Sequence, residues 1–278
     1  ARAAVEAGAT ALDVGGASTR PGASPVPPEL EAGRVLPIVR ALASDPALRR
    51  TPISVDTFHA SVAAAALAAG AHMVNDVSGG RADAGMLAAV AAAGCPLLSM
   101  HSRGGPDSFH APSHSDYSRD GGVLAAVGAG LRERRSAAMA AGIPGWQVVL
   151  DPGLGFGKDA PASLELLGRL PTLRAAIGGD GRVSPLLVGP SRKRFLGAAL
   201  GRDTAPAERD GATTAAAALA AAGGADLLRV HAPLSGVDGG RVGAAVRAAV
   251  WCAEAREGVL EEQVALSLMR TLEGDVSE

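Results

Sequence analysis

Short apolar runs of strand length alternate with helix-period segments along most of the chain. The runs are ALDVG (11–15), ISVDT (53–57), HMVNDV (72–77), PLLSMHS (96–102), VVLDPG (148–153), LLVGPS (186–191) and DLLRVH (226–231). Helix patterns follow over 29–42, 60–69, 83–93, about 119–141, about 162–177, near 206–222 and near 239–255, with a short helix after 191. A repeated strand-then-helix order predicts a parallel sheet covered on both faces. Seven strands are one short of a closed (β/α)8 barrel. ARAAVEAGA reads as the tail of a helix leading into ALDVG, so the missing first strand and its loop are expected before residue 1. The expected organisation is a barrel over 1–255, holding strands two to eight, and a C-terminal helical tail over 256–278.

Several runs end in a carboxylate, an amide or a base: ISVDT, MVNDVSGG (73–80), VVLDPGLGFGK (148–158) and LLVGPSRKRFLG (186–197). In a parallel barrel such strand ends open onto one face, where barrel enzymes do their chemistry. Asp56 reads either as an N-cap for the next helix or as a carboxylate aimed into the mouth. Asn75 and Asp76 pose the same choice. Asp151, held by Pro152 and Gly153, ends a third strand. Asp56, Asn75 and Asp151 together offer donors and acceptors suited to an amino-oxo heterocycle. Loops 17–28 and 103–118 are rich in Gly, Pro, Ser and His and are expected to move over this face.

Composition narrows the chemistry. A net charge of −2 and a pI near 6.3 argue against a nucleic-acid binder. Cys95 and Cys252 have no metal or disulfide spacing, and Cys95 reads as a small buried hydrophobe. No stretch is long and apolar enough to span a bilayer. The two lysines, Lys158 and Lys193, both lie in the polar strand-end segments, which marks both as chemically retained. Ser191-Arg192-Lys193 places two adjacent cations at a strand end. Arg229 and His231 alternate along DLLRVH and so share one side, a plausible anion site. DPGLGFGK lacks the G-x-x-x-x-G-K-[ST] pattern, so a nucleoside-triphosphate loop is discounted, and Phe156 is left for contact with a flat ligand. His101, Arg103, His110 and His114 are irregularly spaced, which speaks against zinc.

LDVGGASTRPGA, ISVDT, AHMVNDVSGG, LDPGLGFGK, GPSRKRFLG and LLRVH, in this order, resemble dihydropteroate synthase, a folate-pathway barrel. That family joins 6-hydroxymethyl-7,8-dihydropterin pyrophosphate to p-aminobenzoate. GPSRKRFLG and the loop after ISVDTF look most like the plant and algal form, which follows a pterin pyrophosphokinase domain in one chain and works in the mitochondrial matrix; otherwise a cytoplasmic location is expected. The resemblance implies that Asp56, Asn75, Asp151 and Lys193 hold the pterin. Asp56, Asp151 and Lys193 are the implied catalytic groups. Thr19, Arg229 and His231 would meet the pyrophosphate. Ser18, Thr19, Arg20, Pro21, Phe156 and Ser191 would form the p-aminobenzoate site. Mg2+ is the implied cofactor, with its family Asn ligand upstream of residue 1 and no ligand in this sequence. A homodimer built on the outer helices, Trp251 included, is also implied. The chain departs from the family at Ala17 and Ala232, where an acidic residue and an Asp or Asn are usual. With the first strand and loop absent, the expectation is a chain that binds pterin but turns over poorly unless upstream residues are restored. The competing readings are an inactive fragment or paralogue and a methyltetrahydrofolate-binding methyltransferase module, which would lack the STRPG loop and the SRK and RVH cations.

Overall fold

The computed structural model describes residues 1–178, 184–202 and 204–231. All seven expected strands form within them: β1 Leu12–Gly15, β2 Ile53–Asp56, β3 Met73–Asp76, β4 Leu97–Met100, β5 Val148–Asp151, β6 Leu187–Val188 and β7 Leu227–Leu228. The helices are α1 Arg2–Glu6, α2 Pro28–Ala43, α3 Ala60–Ala68, α4 Met86–Ala93, α5 Val123–Ala140, α6 Ala160–Gly168, α7 Leu170–Ile177, α8 Arg194–Ala199 and α9 Asp210–Ala222. The expected helix near 239–255, the 256–278 tail, Cys252, Trp251 and Ala232 lie outside the described residues.

The strands pair in parallel in the order β1-β2-β3-β4-β5, and β6 pairs in parallel with β7. A parallel bridge from Leu150 to Leu186 joins the two sets into one array. Its two ends turn toward each other. Arg229, just past β7, donates to Asp13 on β1 at 2.6 Å and to Asp56 on β2 at 2.8 Å. An array whose last strand bonds to its first is curled as a barrel wall, with one gap between β7 and β1. An eighth strand to fill that gap is not among the described residues.

Alternation along the strands sorts side chains onto two faces. Ile53, Val55, Val74, Leu97, Val148, Leu150, Leu186 and Val188 face the helices and build the main core with Val35, Val90, Leu131, Leu166 and Leu173. Full burial of each such side chain contributes ~1.5–3 kcal/mol, so this outer layer supplies most of the hydrophobic stabilisation. The inner face is thinner. Leu98, Val149 and Leu187, with Met73 and Leu227 against them, form an apolar floor. The residues two steps further along the same strands are Met100, Asp151, Gly189, Asn75 and Arg229, so polarity begins one layer above that floor.

One expected helix is divided. The pattern over 162–177 forms α6 and α7, which meet at Arg169. Pro171 sits in the first turn of α7, where it has no N–H to continue the α6 ladder. Cys95 is buried in the main core, as expected.

Candidate active site

Local bonding decides which strand-end acids are free for chemistry. Asp76 is fully buried and accepts from the backbone N–H groups of Ser78 and Gly80, each at 2.7 Å, so it shapes the turn after β3. The N-terminus of α3 is satisfied by Asp83, which accepts from Ala60 N–H at 2.8 Å. Asp56 is therefore not needed as a cap. Its register partners are Gly15 on β1 and Asn75 on β3, which puts all three on the inner face. A Cβ on Gly15 would lie 3.2 Å from that of Asp56, so the glycine leaves the carboxylate its room.

Asn75 donates from Nδ2 to Asp13 Oδ2 at 3.0 Å. Asp13 thus links Asn75 and Arg229, while Arg229 links Asp13 and Asp56. Burial and the neighbouring Asp13 charge push the Asp56 carboxyl up to about 7, against the opposing pull of Arg229. At Arg229 burial lowers the pKa, but Asp56 and Asp13 outweigh it and raise the guanidinium above its usual value.

Across the mouth, Asp151 Oδ1 accepts from Gly153 N–H at 2.7 Å. Burial raises its pKa, and Lys193 opposes the rise. Lys193 Nζ donates to the Leu154 carbonyl at 2.6 Å and stands 4.9 Å from the Phe156 ring centre. Burial brings its ammonium down to about 8, with Asp151 pulling it back up. Ser191 Oγ meets His231 twice, accepting from its backbone N–H at 3.2 Å and lying 3.1 Å from its Nδ1. Burial first, then the cations Arg229, Arg192, Arg20 and Lys193, lower the His231 pKa and favour a neutral ring.

The two loops meet above this set. His110 Nε2 donates to the Thr19 carbonyl at 2.7 Å, and its ring lies 5.2 Å from that of Phe156. Ser18 Oγ accepts from Arg20 N–H at 3.4 Å, while Arg20 and Pro21 are exposed at the loop tip. Val77, Met100 and Phe109, with Phe58 and Phe156, form an apolar wall beside the polar groups.

Two cations do work other than the sequence suggested. Lys158 is buried, and its Nζ donates to the carbonyls of His101 (3.2 Å), Gly153 (3.1 Å) and Phe156 (2.8 Å). It holds the DPGLGFGK loop rather than facing a ligand. Arg192 turns away from the mouth to pair with Asp210 on α9, at 2.7 and 2.9 Å. Its positive φ of 57° allows that turn and leaves Ser191 and Lys193 on the site side. Asp13 escaped the sequence reading, although alternation with the helix-facing Leu12 and Val14 places it inward. His110 carried no usable signal, because loop contacts have no periodicity. Among the described residues no group of three or more His, Cys, Asp or Glu could hold a metal ion, and Arg229 already engages Asp13 and Asp56. The described residues of the mouth therefore do not by themselves make up a Mg2+ site.

A curled parallel β/α array with carboxylates, an amide and cations gathered at its strand ends defines an enzyme of the barrel class. Residues 1–231 match the pterin binding enzyme family, and the chain belongs to that family. It is 44% identical over 240 residues to a dihydropteroate synthase of Mycobacterium leprae, covering 84% of this chain and 79% of the relative. It is 38% identical over 234 residues to a mitochondrial folate synthesis bifunctional protein of Pisum sativum, covering 83% of this chain and 45% of the relative. The chain thus spans half or less of the length of the plant relatives it matches. Among solved structures it resembles a Burkholderia cenocepacia dihydropteroate synthase complexed with 7,8-dihydropteroate, with TM-score 0.78, 38% identity and coverage of 92% and 86%. A Xanthomonas albilineans dihydropteroate synthase with 4-aminobenzoic acid matches with TM-score 0.75, 42% identity and coverage of 90% and 81%. These neighbours establish the barrel fold expected from the strand count.

Proposed function

We propose that this chain is the synthase barrel of folate biosynthesis, joining 6-hydroxymethyl-7,8-dihydropterin pyrophosphate to p-aminobenzoate to give 7,8-dihydropteroate and pyrophosphate. The observation that carries the reading is the convergence of Asp13, Asp56, Asn75, Asp151, Lys193 and Arg229 on one barrel mouth. Asp56, Asn75, Asp151 and Lys193 hold the pterin. Arg229, His231 and Thr19 receive the pyrophosphate. Phe156, Ser191 and the 18–21 loop close over p-aminobenzoate, and the His110 contacts to Thr19 and Phe156 support that closure.

The reaction breaks the pterin CH2–O bond, and the electron pair leaves with pyrophosphate. The electron-deficient carbon is stabilised by delocalisation into the pterin ring. The Asp56 and Asp151 carboxylates, when ionised, favour that positive charge electrostatically, and Arg229 favours the departing anion. The aniline nitrogen then forms the C–N bond and loses a proton, which the released pyrophosphate can accept. No strong general base is required.

Calorimetric titration with the pterin pyrophosphate, in parent and Lys193→Ala proteins, tests the reading. Micromolar binding by the parent and its loss in the variant are expected. A folded parent that ignores the pterin would sink the proposal and favour an inactive relative. Fusion to an upstream pterin pyrophosphokinase and a mitochondrial matrix location belong to the same proposal; the plant relatives' names, which call them bifunctional and mitochondrial, support a second activity in one chain and that organelle. The size and compartment of the native protein on an immunoblot of fractionated cells test both, and sedimentation tests for a homodimer.

A further inference from the structure

We propose that Asp13 is a positioning residue of this site, fixing which end of the Asn75 amide faces the ligand and holding Arg229 in one orientation over the mouth. The proposal rests on the pterin reading given above.

The geometry assigns Asp13 two partners from distant parts of the chain. Its Oδ2 accepts from Asn75 Nδ2 on β3 at 3.0 Å and from Arg229 Nε beyond β7 at 2.6 Å. It reaches them across β2 and across the gap between the two ends of the array. An ionised carboxylate has only acceptors to offer, whereas the two ends of an amide differ in kind. Asn75 must therefore turn its NH2 toward Asp13. Its Oδ1 and second N–H are left for the heterocycle. Without Asp13 the amide could rotate half a turn and exchange donor for acceptor, which presents the wrong pattern to a pterin edge. Arg229 is bound in the same way. With Nε on Asp13 and Nη2 on Asp56, its planar fork has one orientation. The anion site then needs little reordering when pyrophosphate develops its charge.

The same carboxylate also acts on Asp56 through its charge. Asp56 feels the charges of Asp13 on β1, Arg229 beyond β7, Glu31 on α2 and Asp76 on β3. Removing the Asp13 charge takes one anion from this set, so Asp56 ionises at lower pH.

The test uses the full-length protein with Asp13→Asn and Asp13→Glu. Titration with 7,8-dihydropteroate is expected to weaken about tenfold or more in Asp13→Asn, as loss of orientation does in other sites. The KM for p-aminobenzoate should stay near the parent value, and the acid limb of the kcat/KM profile for the pterin substrate should move to lower pH. Asp13→Glu keeps the charge but displaces the carboxylate, so it should weaken binding while leaving the acid limb in place. It also serves if Asp13→Asn fails to fold. A merely structural role would reduce the folded, active fraction and leave both KM values and the pH profile unchanged, and that result overturns the proposal. A parent that binds no pterin overturns the functional reading and this proposal with it. A parent that binds pterin beside Asp13 variants that bind equally well overturns this proposal alone.

Discussion

Asp56 and Lys193 both change charge near neutral pH, and they change in opposite senses. In the proposed reaction Asp56 has to be ionised to favour positive charge on the pterin ring, and its carboxyl takes up a proton as the pH falls through about 7. Lys193 must be protonated to act as a cation, and its ammonium loses its proton as the pH rises through about 8. The expected kcat/KM profile is therefore a narrow bell with its maximum between these values. Stopped-time assays across pH 5–10 (on the order of one point per half unit) check this, and Lys193→Arg should remove the alkaline limb because guanidinium does not titrate there. A profile flat from 6 to about 9 would mean that neither group carries the reaction. At the same scale, Gly153 shows how tightly the backbone is drawn under the site. It has a φ of +66°, and a Cβ there would lie 2.1 Å from the His101 carbonyl oxygen. No other residue fits that position without moving β4 or the DPGLGFGK loop.

The turn after β6 depends on contacts from helix α9. Arg192 and Asp210 are about nine-tenths buried and doubly bonded, and α9 supplies Asp210 together with Thr213, whose Oγ1 accepts from Arg192 N–H at 3.0 Å. Helix α9 thereby anchors the loop from which Ser191 and Lys193 project. Breaking a buried pair leaves an uncompensated charge and costs about 3 kcal/mol or more. Asp210→Ala is expected to lower the melting temperature by roughly 6–12 °C, using about 2–4 °C per kcal/mol for a domain of this size. It should also weaken pterin binding in protein that is still folded at the assay temperature. Thermal melting and calorimetry at 20 °C (about room temperature) separate the two effects, and a variant that melts like the parent would show that α9 does not anchor the turn.

At the scale of the whole molecule, Arg229 ties the last described strand to the first two. Its guanidinium is 41% exposed, and the two carboxylates that it bonds are 19% exposed. Screening by solvent therefore reduces the worth of each pair, and a loss of ~1–2 kcal/mol is expected for Arg229→Met, below the figure for full burial. The surface pair Arg169–Glu165 is 56% and 45% exposed and provides the control. Arg169→Met should change stability by no more than ~0.5 kcal/mol. Urea unfolding of the two variants distinguishes a clamp across the array from an ordinary surface pair. Equal midpoints would mean that the curl is held by packing alone.

The sequence by itself determined the number and order of the described strands, because period-2 and period-3.6 patterns are local properties of the chain. It also singled out Asp56, Asn75, Asp151, Lys193, Arg229 and His231, since each ends an apolar run and strand ends in a parallel barrel share one face. What the sequence could not distinguish was the use made of chemically equal neighbours. Asp76 and Asp56 both follow apolar runs, yet one bonds its own turn and the other faces the mouth. Lys158 and Lys193 lie in similar segments, yet one is held by three carbonyls and the other stands beside Phe156. Arg192 and Asp13 were decided only when α9 and the far end of the array came within hydrogen-bond reach. Those partners are 18 and 216 residues away along the chain. Periodicity records which face a residue takes, whereas its partner is set by how the strands curl and the helices pack, and only the tertiary structure fixes that.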